Sequence, residues 1–196
     1  SRFNTSNVID MRSMFFNCHS LSYLNLSNFK THNVLDMSYM FSSCYNLTSI
    51  NINHFNTTKV LDMSSMFSSC YKLTSLNISN FKTSNVLDMR LMFSFCHNLK
   101  FINLSNFNTT KVKNMKFMFF SCYKLKSIDI SNFNTQNVVD ISNMFHDCYS
   151  LKNVNLGNVN TYNLVNMNSM FKQCYSLTSL NISGFNTINV TDMSHM

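Results

Sequence analysis

The sequence has no proline, alanine, tryptophan or glutamate, and its only glycines are Gly157 and Gly184. Without proline-rich or glycine-rich stretches there is no composition typical of a flexible linker, and no domain boundary is visible. The chain also has no glycine-rich phosphate loop and no GxSxG motif, and its histidines are scattered. We therefore expect a protein that is not an enzyme and that binds no cofactor.

Long apolar runs are missing as well. No stretch approaches the roughly 18 residues that a membrane-spanning helix needs, and residues 1–20 lack the pattern of a signal peptide. We expect no membrane span within this segment. Because the chain starts and stops in the middle of a repeated unit, we interpret it as a fragment of a longer array whose anchor and signal lie elsewhere.

What the sequence does contain is a strict internal period. Phenylalanine recurs every 26 residues, as at Phe41, Phe67 and Phe93, and all seven cysteines keep the same step. They are Cys18, Cys44, Cys70, Cys96, Cys122, Cys148 and Cys174. A period of this length is typical of a solenoid, in which each repeat buries its apolar side by stacking on its neighbours. The sequence predicts a single repeat domain over 1–196, with seven full repeats and a partial one.

Below, a rung is one 26-residue repeat, and a column is the set of residues at one position in successive rungs. Each rung contains the pattern LxxLxL, as in Leu47, Ile50 and Ile52. Its last three residues alternate as a strand does, so stacked rungs should form a parallel sheet with strands about 4.8 Å apart. A phenylalanine and an invariant threonine follow, as in Phe55 and Thr57, and predict a turn around a buried ring.

The remainder of the rung predicts a short helix. In the segment that begins at Asp36, the apolar residues Met37, Met40, Phe41 and Cys44 lie at positions i, i+3, i+4 and i+7. This spacing forms one face of a helix. Asp36 or Ser38 is placed to cap the helix N-terminus, where a side-chain acceptor satisfies free backbone N–H groups.

The complete unit reads LxxLNLSNFxTxNVxDMSxMFxxCxxL and covers essentially the whole chain. It resembles the BspA-like leucine-rich repeats of bacterial and protist surface proteins, in particular the 26-residue surface-protein repeat of lipoproteins and wall-anchored proteins. The resemblance implies an α/β, right-handed leucine-rich-repeat-type solenoid with a parallel sheet and short helices. The repeats depart from ordinary leucine-rich repeats at Phe29 and its equivalents, where an asparagine is usual.

The resemblance also implies a location and a role. Such proteins are displayed at the cell surface or outside the cell, and they act in adhesion or ligand binding. The partners implied are a protein or glycan on the surface of a host or neighbouring cell. We expect the chain to be a monomer.

Three columns have a structural and a functional interpretation. The cysteines suit core packing better than disulfides, because neighbouring Cβ atoms about 5 Å apart point the same way, and better than metal, because no CxxC pair exists. The aspartates at Asp36 and its equivalents suit capping better than calcium, since asparagine replaces them at Asn114 and Asn166. We expect no metal site.

The third column follows the cysteines and contains only tyrosine and histidine, including Tyr71, Tyr123 and Tyr149. Rings at regular spacing could form a stacking surface for sugars or bases. Alternatively, each ring covers the rung below it. These three tyrosines are candidate binding residues.

Lysines are concentrated between residues 100 and 152, in a chain whose net charge is +7. Three of them, Lys100, Lys126 and Lys152, follow the first leucine of LxxLxL in successive rungs and should lie on one edge of the sheet face. Four more belong to the same region: Lys111, Lys113, Lys116 and Lys124. Together they are candidates for an anion-binding patch, although an ordinary solvated surface is the alternative.

The sequence thus favours a non-enzymatic binding or adhesion module that uses variable positions of its sheet face. Two alternatives stay open. The chain could be a passive spacer that holds another domain away from a cell, or an anion or nucleic-acid binder through the middle lysines. We do not expect nucleic acid as the main partner.

Overall fold

The computed structural model describes residues 3–196. Its regular strands are β1, Ser127–Asp129, and β2, Asn153–Asn155, which pair in parallel with Ser127 opposite Asn153 and Ile128 opposite Val154. These partners are one repeat apart. The rest of residues 3–196 forms turns and extended segments, with no helix and therefore none that could cross a membrane.

The rungs stack in strict register along the chain. Every neighbouring pair of rungs is joined by a parallel backbone bridge at the aspartate column, from Asp10 with Asp36 through to Asn166 with Asp192. The chain is therefore a solenoid of 26-residue rungs, as the period predicts. Its right-handedness stays a prediction.

The predicted short helix is wrong, because the segment from Met37 to Cys44 bonds to the next rung. The amides of Met37, Tyr39 and Phe41 donate to carbonyl oxygens of the following rung at 2.9–3.0 Å. The amides between them close tight turns, as from Met40 to the Met37 oxygen at 3.3 Å. Amides shared between neighbouring rungs are not available for the i→i−4 bonds of a helix.

Backbone dihedrals explain how this geometry is reached. Tyr39 and Ser43 have φ values of 56° and 61°, and the same two positions are left-handed in successive rungs, even where Leu91 and Phe95 occupy them. A left-handed residue other than glycine costs roughly 1–2 kcal/mol. The hydrogen bonds to the next rung hold it there, and the four apolar side chains Met37, Met40, Phe41 and Cys44 still end up buried.

The predicted parallel sheet is formed only in part. Leu47, Ile50 and Ile52 are buried as predicted and stack on their equivalents, but regular strand pairing occurs only between β1 and β2 among residues 3–196. In other rungs single bonds join these segments, such as Thr74 N to Thr48 O at 3.1 Å.

The threonine column joins rungs through its hydroxyl groups. Thr57 Oγ1 donates to the Lys82 carbonyl at 3.0 Å and accepts the Lys82 amide at 2.7 Å. Thr83 makes the same pair of bonds to Asn108. The hydroxyl bonds the backbone, as the sequence predicts, but the backbone belongs to the next rung. Threonine supplies both a buried donor and a methyl group, whereas serine lacks the methyl group and valine lacks the donor.

One rung leaves the apolar core incompletely filled. Val159 occupies the column in which the five preceding rungs, from Phe29 to Phe133, have a buried phenylalanine. A cavity of about 20 Å³ lies beside it, lined by apolar side chains that include Phe133, Ile141 and Phe185. The shorter side chain leaves this void, because close-packed neighbours relax only partly.

Val159→Phe should fill this cavity and raise the free energy of unfolding by about 0.5–1.5 kcal/mol. Urea denaturation followed by circular dichroism measures the change. The reciprocal variant Phe133→Val, which opens a new void, should lower stability by about 1–3 kcal/mol. A lower urea midpoint for Val159→Phe would contradict the interpretation of the cavity.

The same rung depends on a glycine. Gly157 has φ 61°, and a Cβ atom there would lie 2.6 Å from Ser131 Cα. We expect Gly157→Ala to cost about 2–4 kcal/mol, from left-handed strain and overpacking against backbone. Gly184→Ala is the matched control, since nothing lies within 4 Å of a Cβ added there. Equal thermal midpoints for the two variants would refute this account.

Candidate functional site

The lysine row, defined as Lys100, Lys126 and Lys152, is formed as the sequence predicts. Lys126 N donates to Lys100 O at 3.2 Å, and Lys152 N donates to Lys126 O at 2.9 Å, so the three residues lie on adjacent rungs. All three are exposed. Ammonium groups one strand spacing apart repel by about 1 kcal/mol in bulk water.

The strands β1 and β2 support the row directly. Each strand begins one residue after a lysine of the row, since Ser127 follows Lys126 and Asn153 follows Lys152. The equivalent residue after Lys100 is Phe101, whose side chain is 58% exposed. Two of the three cations therefore directly precede paired strands, and Lys100 with the exposed Phe101 lies on the neighbouring rung.

The other four lysines of the predicted patch lie in other columns. Lys111 Nζ donates to Asn85 Oδ1 at 2.8 Å, and Lys124 Nζ donates to Asn98 Oδ1 at 2.6 Å. Lys116 Nζ lies 5.3 Å from the centre of the Phe117 ring. Lys113 belongs to the column two residues beyond Lys111, where other rungs expose aliphatic side chains such as Leu87 and Val139.

The lysine row differs from these in its partners. Within residues 3–196, the three ammonium groups of the row have no hydrogen-bond or ion-pair partner in the protein. The charged contacts that do form lie elsewhere, such as Arg12 with Asp10 at 2.7 Å and Arg90 with Asp88 at 3.3 Å. A hydrogen bond from the Arg12 guanidinium, together with one from the Arg12 backbone amide, lowers the pKa of Asp10.

A polar cleft lies between the rungs of Lys100 and Lys126, and residues that follow these two lysines along the chain form its lining. Its volume is about 210 Å³, and its lining includes Asn103, Ser105, Asp129 and Asn132. Asn103 Oδ1 accepts the Ser105 amide at 3.0 Å, which leaves the Asn103 amide N–H groups for a ligand. Asp129 is held by Ser131, whose hydroxyl and amide lower the carboxyl pKa.

The tyrosine and histidine column forms a continuous ladder of stacked rings. Tyr71 and Tyr123 flank His97 with ring centres 4.7 and 4.2 Å away, and Tyr123 stacks on Tyr149 at 4.8 Å. No sugar or base fits between rings this close. The faces of these tyrosines are therefore used within the protein, in agreement with the interpretation that each ring covers its neighbour.

A second aromatic group was not foreseen from the sequence, because its members occupy several columns. Phe120 makes edge contacts with Phe95 at 5.0 Å, Phe117 at 5.2 Å and His146 at 5.2 Å. His146 also bonds Asn143 through Nδ1 at 2.8 Å, and burial lowers its pKa. These side chains occupy positions that vary between rungs, and their contacts are with one another.

The aspartate column has its predicted capping chemistry without a helix. Asp62 Oδ1 accepts the Ser64 amide at 2.7 Å, and Asn114 Oδ1 accepts the Lys116 amide at 2.9 Å. Each side chain thus stabilises the first turn of the segment that directly follows it in the chain. Asparagine serves equally well because only an acceptor is required.

The cysteine column has a role that sequence reasoning missed. The thiols are free, and each one from Cys44 onward donates to a phenylalanine carbonyl of the preceding rung, as Cys70 Sγ does to Phe41 O at 3.3 Å. Burial raises the pKa of Cys44 to about 11 and that of Cys96 to about 12. The spacing of the cysteines gives no hint of this bond.

A family profile described as "Mycoplasma protein of unknown function, DUF285" matches the chain over residues 1–101, 44–151, 72–174 and 124–196. The chain belongs to the DUF285 family. The profile matches at overlapping positions, as expected for a repeat. A comparison with curated proteins finds no match for this DUF285 chain.

Two solved structures similar to this DUF285 chain are leucine-rich repeat proteins. The protein from T. pallidum is 15% identical, with 71% of this chain and 69% of the other covered and a TM-score of 0.43. The protein from Bacteroides ovatus ATCC 8483 is 18% identical, with coverages of 96% and 73% and a TM-score of 0.23.

The buried thiols of this DUF285 chain predict sensitivity to alkaline pH. The ordinary thiol pKa is 9.0, whereas Cys96 titrates at about 12 in the fold. The unfolded chain therefore loses a proton that the folded chain keeps. The stabilisation is complete below pH 9 and is lost as the pH rises towards 12, by about 1.4 kcal/mol per pH unit for Cys96.

Urea midpoints measured between pH 8 and 10.5 test this expectation. Cys96→Ser should show a shallower decline by the contribution of one thiol, since its hydroxyl still donates to the Phe67 carbonyl but does not ionise in this range. Parallel declines for the two proteins would show that Cys96 does not contribute.

Proposed function

We propose that this chain is a non-enzymatic, surface-displayed binding module of the leucine-rich-repeat, BspA-like type. It contacts a protein or glycan of a host or neighbouring cell through the variable positions of its sheet face. The observation that carries the proposal is the lysine row, exposed on three adjacent rungs beside the exposed Phe101. Its ammonium groups have no hydrogen-bond or ion-pair partner within residues 3–196.

The rest of the repeat has structural tasks. The leucine, methionine and phenylalanine columns fill the core, and the threonine and cysteine columns bond neighbouring rungs. The aspartate column stabilises turns. Specificity must therefore come from positions that vary between rungs and point outward, as in other solenoids with extended binding surfaces.

The chemistry of the buried groups supports a role without catalysis. A thiolate is the reactive form of cysteine, and burial holds the Cys96 thiol protonated up to a pKa of about 12. The carboxylates of Asp36 and Asp62 accept backbone amides within turns. These groups stabilise the solenoid rather than meet a substrate.

The proposal extends to location. We place the module at the cell surface or outside the cell, with its signal and anchor beyond this segment, and we expect it to act as a monomer. Burial protects the thiols of the five inner rungs, from Cys44 to Cys148, from an oxidising environment, so free cysteines there are compatible with that location.

The proposal is tested by a face-reset variant, in which four exposed residues of the face are replaced by the residues that other rungs have in the same columns. Lys100→Thr, Phe101→Ser, Lys126→Thr and Lys152→Thr introduce residues that the same columns already contain at Thr74 and Ser75. Surface plasmon resonance against a panel of matrix proteins and glycans should find a ligand whose affinity falls at least about tenfold in this variant. The thermal midpoint should change little.

The control removes three other lysines. Lys59→Asn, Lys111→Asn and Lys124→Asn change net charge by the same amount, at columns where other rungs have asparagine. This variant should bind as the original chain does. If the whole panel fails to bind, the chain is better explained as a passive spacer. If the reset face binds equally well, the ligand does not use this face and the proposal is wrong.

A further inference from the structure

We propose that the lysine row and the adjoining cleft bind an acidic polysaccharide that lies along the solenoid axis. Its acidic groups pair with Lys100, Lys126 and Lys152, and hydroxyl groups of one sugar enter the cleft beside Asn103. This inference rests on the proposed function, because it assigns a ligand class to the same face.

The row is arranged for a linear polyanion. Backbone bonds between successive lysines set the backbones of these residues one strand spacing apart along the axis, so that their ammonium groups can reach one linear ligand. An acidic polysaccharide has carboxylate or sulfate groups on every sugar or on every second sugar, so its anionic groups recur along one line and can follow the row. Binding relieves the repulsion among three cations that otherwise have no counter-ion in the protein.

The fixed backbone makes the row a prepared site. Pairing of β1 with β2 fixes the residues that follow Lys126 and Lys152 in register. A ligand then orders only the lysine side chains, which lowers the entropic cost of binding.

The cleft is the reason for proposing a sugar ligand rather than a simple anion. Its volume of about 210 Å³ and its lining of amide and hydroxyl groups offer donors and acceptors for several ligand hydroxyls. Asn132 Nδ2 donates to the Leu104 and Phe107 carbonyls, so Asn132 Oδ1 is left as an acceptor. Asp129 adds a charged acceptor that suits a hydroxyl and repels a further acidic group.

Phe101 lies between Lys100 and the cleft residues along the chain. Its exposed ring offers an apolar surface to the C–H face of a sugar. A single ring of this kind is enough for one sugar residue.

Two other polyanions fit less well. Proteins that bind single-stranded nucleic acid stack successive bases on several rings, whereas the faces of Tyr71 and Tyr123 are covered by their neighbours. An acidic peptide would gain most from apolar pockets that hold anchor side chains. The face beside the row offers only Phe101.

Isothermal titration calorimetry of the whole chain tests the proposal with defined probes. These are a heparin-derived hexasaccharide, a hyaluronate hexasaccharide, a neutral dextran oligosaccharide, oligo-dT and a polyglutamate of matched charge. We expect at least one acidic hexasaccharide to bind most tightly. The slope of log affinity against log salt should lie between about −2 and −3 for three phosphate-like contacts.

Single substitutions separate the parts of the site. Lys126→Thr should reduce the salt slope by about one, whereas Phe101→Ser should weaken binding and leave the slope unchanged. Asp129→Asn, which restores the asparagine of other rungs, should raise affinity for the sulfated hexasaccharide about twofold by removing one repulsive charge. The triple variant Lys59→Asn, Lys111→Asn, Lys124→Asn should keep the original slope.

Three results would overturn the inference: no binding of either acidic hexasaccharide at low salt, equal binding by the face-reset variant, or binding of oligo-dT or polyglutamate that matches the hexasaccharides. The first would leave the proposed function standing if another ligand of the panel depends on the same face. Failure of the whole panel would remove both. Thermal midpoints establish that each variant is folded.

Discussion

Hydrogen bonding between neighbouring rungs is the interaction on which the rest of this structure depends. Alternate amides of the segment after each aspartate donate to the next rung, and this forces two left-handed residues into nearly every repeat. The same stacking brings threonine hydroxyls and cysteine thiols within reach of backbone atoms one rung away. Each of these contacts requires an unvarying spacing of 26 residues, which explains why the repeats tolerate changes of side chain but none of length.

The sequence predicted which side chains are buried more reliably than which elements they form. The spacing of Met37, Met40, Phe41 and Cys44 identified four core residues, but a helix and a chain of tight turns can bury the same pattern. The deciding factor is where the amides between them find acceptors, and that depends on a partner 26 residues away. Periodicity within one rung carries no information on it. The LxxLxL segments similarly predicted burial, while regular pairing was limited to β1 and β2.

The candidate site, like the fold, could be predicted from the sequence only in part. That Lys100, Lys126 and Lys152 share an edge followed from their common column. The bonds from Lys111 to Asn85 and from Lys124 to Asn98 could not be predicted in this way, because they depend on how far the side chains reach between rungs. The stacked Tyr71, Tyr123 and Tyr149 were candidates for binding until ring separations below 5 Å showed their faces to be covered. The structure thus reduces the candidate binding site from the whole basic region between residues 100 and 152 to the lysine row and the nearby cleft.

The irregular rung that contains Gly157 and Val159 has a mechanical consequence. In a solenoid each rung contacts only its neighbours, so a pulling force applied along the axis passes through every interface in series. The weakest interface then yields first. The void beside Val159 lies in the rung of Lys152, which stacks through Gly157 on Ser131 in the rung of Lys126. Extension under load then begins at this interface and separates Lys152 from the other two lysines of the row.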